Sequence, residues 1–151
     1  MTKNHTQIAS SDGQFDATNK TFCFLGCGAV AKCTLTFLTN FVNVDWKKVY
    51  IVDRFDQRTA PCLKPIFEQG AHFLHINLED QDWGLIMDLV KLKPNDVVVD
   101  LTTNTNTFKV IEAVRKRSLH YVNTAMEINW HFDPNATLYD ESLYKRHVEA
   151  Q

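Results

Sequence analysis

The chain has 151 residues, of which 44% are hydrophobic and 23% charged, and its formal net charge is -2. That length suits one domain with a real core, while the near-balanced charge leaves no footprint for nucleic acid or an anionic membrane surface. No apolar run approaches the roughly 20 residues of a membrane-spanning helix, and the polar start of the chain lacks an apolar signal region, so a cytoplasmic protein is expected.

Residues 1–20 are rich in Ser, Thr, Asn, Gln and Asp and are expected to form a flexible tail. Phe22 to Leu25 reads as the first strand. Ala29 to about Phe41 reads as a helix whose apolar side collects Val30, Cys33, Leu35, Phe37, Leu38 and Phe41. Val49 to Asp53 is a second strand, continuously apolar as a strand covered on both faces should be. Pro61 and Pro65 keep any helix between Asp56 and Gln69 short or broken. Gly70 precedes a third strand, Ala71 to Ile76. Asp80 is a candidate N-cap for a helix from Gln81 to Leu92, with Trp83, Ile86, Met87 and Val90 on one face. After the turn Lys93-Pro94-Asn95-Asp96 come a fourth strand, Val97 to Leu101, a polar loop, a helix from Thr107 to Arg117, and a fifth strand, His120 to Thr124.

This alternation of strands and helices implies an α/β fold: a Rossmann-like, doubly wound parallel sheet with helices on both faces and strand order 3-2-1-4-5. Residues 21–125 form the expected dinucleotide-binding domain. From Met126 onward the periodicity stops, although one helix fits around Asp140 to Val148.

Within that frame the turn Gly26-Cys27-Gly28-Ala29-Val30-Ala31 leads from the first strand into the first helix. Gly26 permits a sharp turn, Gly28 lets a diphosphate approach bare backbone, and Ala31 supplies the small residue where helix meets strand. The amides and dipole of the first helical turn would face the phosphates; the alternative is a tight strand-to-helix turn with no ligand. Asp53 ends a buried strand, a costly place for a carboxylate without a partner. A ribose diol is one such partner, which favours NAD over NADP because a carboxylate repels a 2′-phosphate. A plain ion pair is the other reading, and Arg54 beside it is either a rim charge or a stacking group for adenine.

Ligands of open parallel sheets lie beyond the carboxyl ends of the strands. There the chain places Thr102, Thr103, Asn104 and Thr105 after strand four, and Asn123, Thr124 and Glu127 after strand five. The short polar side chains can bind a nicotinamide ribose or cap the following helix. Glu127 can hold a cationic amine or move a proton, or be a surface acid. Cys23, Cys27, Cys33 and Cys62 lack a C-x-x-C spacing and read as small, mostly buried residues rather than a redox or metal cluster. Cys27 is the exception considered, since a helix start can lower a thiol pKa. His72 and His75 face opposite sides of a strand, His120 and His131 stand alone, and no metal motif is present.

The glycine turn, Val52-Asp53, Leu101-Thr102-Thr103-Asn104-Thr105 and above all His120-Tyr121-Val122-Asn123-Thr124-Ala125-Met126-Glu127 followed by Trp130 resemble the N-terminal NAD-binding part of bacterial-type homospermidine synthase, a relative of saccharopine dehydrogenase. The resemblance covers residues 21 to about 135. It implies NAD as a retained redox cofactor in aminobutyl transfer between polyamines such as putrescine, with ammonia released, and hence both oxidoreductase and transferase chemistry. By match, Gly26, Gly28 and Ala31 bind phosphate, Asp53 binds the adenosine ribose, and Glu127 is the acid lining the polyamine site; Asn104 falls where such enzymes can carry an acid. The family's enzymes are longer than one domain of this size, so residues 126–151 are expected to begin a second domain, absent or truncated here, and a homodimer or a missing-domain partner is expected. Two other readings stay open: a non-catalytic NAD-binding module, and a methyltransferase using S-adenosylmethionine. The latter usually carries an acid at the end of strand one, where this chain has Phe24-Leu25.

Overall fold

A computed structural model of the chain describes residues 14–78, 82–103 and 105–124, together with Lys145 and Val148. In chain order these form β1 (Phe15–Asp16), β2 (Phe22–Leu25), α1 (Ala29–Phe41), β3 (Val42–Asn43), a 3₁₀ turn (Trp46–Lys48), β4 (Val49–Asp53), α2 (Lys64–Glu68), β5 (His72–His75), α3 (Trp83–Val90), β6 (Val97–Asp100), α4 (Thr107–Lys116) and β7 (His120–Asn123).

The main sheet is wholly parallel and runs β5-β4-β2-β6-β7. Counting its five strands alone, the order is the expected 3-2-1-4-5. The full count differs because β1 and β3, which the sequence reading did not foresee, pair in a separate two-stranded sheet. Residues 14–20, assigned by composition to the tail, are therefore part of the fold: Ala17 donates to Asn43 O at 2.8 Å, and the Lys48 ammonium donates to Thr18 O at 2.8 Å.

Alternation along the strands divides the interior into two cores. On one face Cys23, Leu25, Val52 and Val98 pack under Trp83, Ile86, Met87 and Val90 of α3 and under Val110 and Val114 of α4. On the other, Phe24, Ile51 and Val99 meet Leu35 of α1, Ile66 of α2, and Leu63 and Trp46. Cover on both faces is why Val49–Asp53 and Val97–Asp100 are apolar almost throughout.

Local chemistry sets the helix ends. Asp82, not Asp80, caps α3, accepting from the amides of Gly84 at 2.8 Å and Leu85 at 3.3 Å; Asp80 lies outside the described residues. Pro65 sits in the first turn of the short α2, where its missing N–H costs nothing. Asn106 caps α4. The apolar side expected for α1 is corrected: Ala31 and Leu35 are buried, with Leu38 packed against the same core, whereas Val30, Phe37 and Phe41 are at least half exposed and Cys33 is exposed as well. The helix carries two apolar stripes, and the one holding the small Ala31 approaches the sheet. Of the helix expected around Asp140 to Val148, only Lys145 and Val148 are described, both helical.

Candidate functional site

From β2 the chain passes to β4 and β5 on one side and later to β6 and β7 on the other. The order thus reverses between β2 and β6, and the loops at their carboxyl ends splay to leave a crevice. A cleft of about 300 Å³ lies there, formed by the glycine turn, the end of β4 and the loop after β6.

The two glycines of the turn do different work. Gly26 has φ +86°, and a Cβ on it would stand 3.0 Å from Leu101 O and 3.2 Å from Thr102 N. Backbone conformation and the close passage of the β6 loop both exclude a side chain there. Gly28 has an ordinary φ of -74°, and a Cβ on it would meet nothing within 4 Å. Its bare Cα borders the open cleft. As N-cap of α1 it offers no side chain to the first helical turn, which also contains no acid; Ala29 and Val30 of that turn line the cleft. Ala31 is fully buried in the inner stripe.

Asp53 ends β4 opposite the turn. Its Oδ2 accepts the Cys27 amide at 2.5 Å and its Oδ1 the Phe55 amide at 2.8 Å. A carboxylate offers about four lone-pair sites, so two backbone bonds leave acceptor capacity on the cleft side. Arg54, Phe55, Asn77 and Leu78 extend the lining, with the Arg54 guanidinium 5.0 Å from the centre of the Phe55 ring. His75 reaches back to Arg54 O at 2.7 Å.

The opposite wall is the loop after β6, with Leu101, Thr102, Thr103 and Thr105 in the lining. Behind it lies Asp100, 4% exposed. Oδ1 of Asp100 accepts the Thr102 amide at 3.1 Å and the Thr102 hydroxyl at 2.5 Å, and Oδ2 accepts the Tyr121 hydroxyl at 2.7 Å. Thr102 Oγ1 also lies 2.6 Å from Thr105 Oγ1. Burial, then the Asp100 charge and the bond to it, push the Tyr121 phenol well above the usual tyrosine range, so it stays the donor.

Of the residues singled out from sequence, Gly26, Cys27, Gly28, Ala29, Val30, Asp53, Arg54, Thr102 and Thr103 converge on this cleft. Asn104 and Glu127 lie outside the described residues. Asn123 and Thr124 are not in the cleft lining: the Asn123 side chain bonds the Tyr121 hydroxyl, and the Thr124 amide donates to Asp100 O at 3.3 Å. The idea of an acidified Cys27 is corrected. Its side chain is buried, and burial together with the Asp53 charge raises its thiol to about 11. The sequence reading did not single out Phe55, Asn77, Leu78 or the Asp100–Tyr121 pair. A signal for Asp100 was present, since it is a second acid ending an apolar strand and the argument that selected Asp53 applies to it equally.

Among the described residues, no group of three His, Cys, Asp or Glu side chains is placed to hold a metal ion, and no helix is long and apolar enough to cross a membrane. Residues 22–150 match the family model described as saccharopine dehydrogenase NADP binding domain. No curated protein sequence matches the chain. Among solved structures, the chain is similar to homospermidine synthase from Legionella pneumophila, crystallised in complex with NAD, with a TM-score of 0.70 and 17% identity over 87% of this chain. The chain spans 28% of that protein's length.

Proposed function

The chain belongs to the saccharopine dehydrogenase NADP binding domain family, and on that premise we propose that it is the NAD-binding domain of a homospermidine-synthase-like enzyme. The observation that carries the reading is the pairing of an unfilled backbone cradle with an acid: Gly28, whose Cβ would meet nothing within 4 Å, stands beside the uncapped start of α1, and Asp53 is held across the turn with acceptor capacity to spare. A diphosphate fits the cradle, and a ribose diol fits the carboxylate.

In this reading the glycine turn and the first turn of α1 bind the diphosphate, Asp53 holds the adenosine ribose, and Phe55 with Arg54 offers an adenine a flat surface. Thr102 and Thr103 face the nicotinamide half, with Asn123 and Thr124 supporting it from the next strand. The family description names NADP, and the Legionella enzyme was solved with NAD. The choice of NAD rests on Asp53, whose charge would repel a 2′-phosphate. The chemistry supplied by a bound nicotinamide is reversible hydride transfer at an amine carbon. Glu127 is the proposed acid that would hold a cationic polyamine such as putrescine and move its proton.

Titration calorimetry with NAD, NADP and S-adenosylmethionine tests the first step. NAD binding tighter than NADP is expected; S-adenosylmethionine binding without NAD would replace this reading with the methyltransferase one. The activity is tested by ammonia release from putrescine with NAD, with and without the remaining portion of a homospermidine synthase supplied in trans. Nucleotide binding without turnover in either assay would assign the chain to a non-catalytic NAD-binding module.

A further inference from the structure

Tyr121 does not line the cleft, yet it stands at the end of a one-way chain of hydrogen bonds that does. Thr102 has a single hydroxyl proton, and at 2.5 Å from Asp100 Oδ1 that proton goes to the carboxyl group. The oxygen of Thr102 must therefore accept from Thr105, 2.6 Å away. The direction is fixed: Thr105 to Thr102 to Asp100, with Tyr121 donating to the other Asp100 oxygen at 2.7 Å. The same loop is held from the far side by the close passage of Leu101 over Gly26. Asp53 and the threonine loop lie on opposite sides of that turn, so an adenosine on Asp53 leaves the other half of a dinucleotide against Thr102 and Thr105.

We propose that Tyr121 is a positioning residue for the nicotinamide half of the nucleotide site, acting through Asp100 on the Thr102–Thr105 wall. Asp100 is 4% exposed and absent from the cleft lining. An effect of Asp100 or Tyr121 on ligand affinity is therefore indirect, carried by the loop whose Thr102 is held by Asp100. Without the Tyr121 hydroxyl, one oxygen of a buried carboxyl group loses its donor, and the group must turn or admit water to recover one. Either change draws on the bonds that fix Thr102.

The inference rests on the nucleotide reading, and comparing a whole ligand with half of one separates the two. In the full chain, Tyr121→Phe should weaken NAD about tenfold, the loss of roughly one hydrogen bond, and leave AMP, which engages only the adenosine side, within about twofold. Asp100→Asn, which keeps the volume, should reproduce this split, and the double variant should lose little more than the worse single one because both act on one loop. Circular dichroism and melting temperature establish that each variant is folded, and if Tyr121→Phe does not fold, Asp100→Asn carries the comparison. Unchanged NAD affinity, or NAD and AMP affinities falling together, overturns the positioning role. A wild-type chain that binds neither nucleotide removes the nucleotide reading itself, and this inference with it.

Discussion

The Asp53 carboxylate accepts the backbone amide of Cys27 at 2.5 Å, tying the end of β4 to the middle of the glycine turn. One acid thus shapes the turn and borders the cleft that the turn opens. A carboxylate at the end of a buried strand is costly unless partnered, and here two backbone amides partner it before any ligand arrives.

Replacing Asp53 should therefore be felt twice. Asp53→Ala strands the Cys27 and Phe55 amides, with an expected loss of about 1–3 kcal/mol in stability, and should also weaken NAD at least tenfold. Asp53→Asn keeps one acceptor oxygen and should fall between Ala and wild type in both respects. Chemical denaturation and calorimetry on the same preparations check this, and unchanged NAD affinity in both variants would remove Asp53 from the site.

The two glycines should separate folding from binding. Gly26→Ala forces a side chain into φ +86° and against Leu101 O at 3.0 Å, which should cost about 1–3 kcal/mol of stability. Gly28→Ala keeps a common φ and meets nothing. Its stability should stay within about 1 kcal/mol, near the ordinary Gly-to-Ala difference, while NAD affinity drops because the methyl group occupies the cradle. A Gly28→Ala variant that binds NAD as wild type does would place the diphosphate elsewhere.

Thiol reactivity should divide the cysteines into pairs. Cys33 and Cys62 are exposed. Cys23 and Cys27 are buried, raised by that burial to about 12 and about 11, with the Asp53 charge adding to Cys27. A chromogenic disulfide reagent near neutral pH should titrate two thiols quickly and the other two only on unfolding. Fast modification of a third would contradict the burial of Cys27.

The same shifts make the fold sensitive to alkali. In the unfolded chain the thiols ionise near the ordinary value of 9.0, whereas folded Cys27 and Cys23 keep their protons to about 11 and about 12. Above pH 9 the unfolded state binds fewer protons, so stability falls as pH rises. The contribution is complete below 9.0 and is lost by about 11 to 12. Denaturation midpoints measured across that window should decline, and Cys23→Ala should flatten the decline whatever it does to stability at neutral pH.

Removal of the α3 cap offers a local control. Asp82→Ala leaves the amides of Gly84 and Leu85 without their acceptor and should cost about 1 kcal/mol, with nucleotide affinity unchanged because neither Asp82 nor the two residues it caps line the cleft. Melting temperature and calorimetry read the two effects separately.

Much of the fold was legible because its signals are local. Glycine and proline punctuation, short continuous apolar runs and the α3 face of Trp83, Ile86, Met87 and Val90 marked the five long strands and the main helices within a residue or two. The misreadings have physical causes. Two-residue strands such as Phe15–Asp16 are too short for any period to show. Asp80 and Asp82 are both competent caps, and local sequence cannot rank them. On α1 apolar residues lie on more than one side, so the sequence merged Leu35 and Leu38 with Val30, Phe37 and Phe41; only packing on the sheet singled out the side that also holds the small Ala31.

By itself the sequence determined where the backbone turns, which strands are covered on both faces, and that an acid, Asp53, ends a buried strand, because each of these follows from side-chain size and polarity among near neighbours. Tertiary structure alone decided that Leu101 passes over Gly26, that Asp53 grips the glycine turn, and that Tyr121 reaches Asp100 behind the cleft wall. Those contacts join segments far apart along the chain, brought together by strand order and register, and no local pattern of residues encodes them.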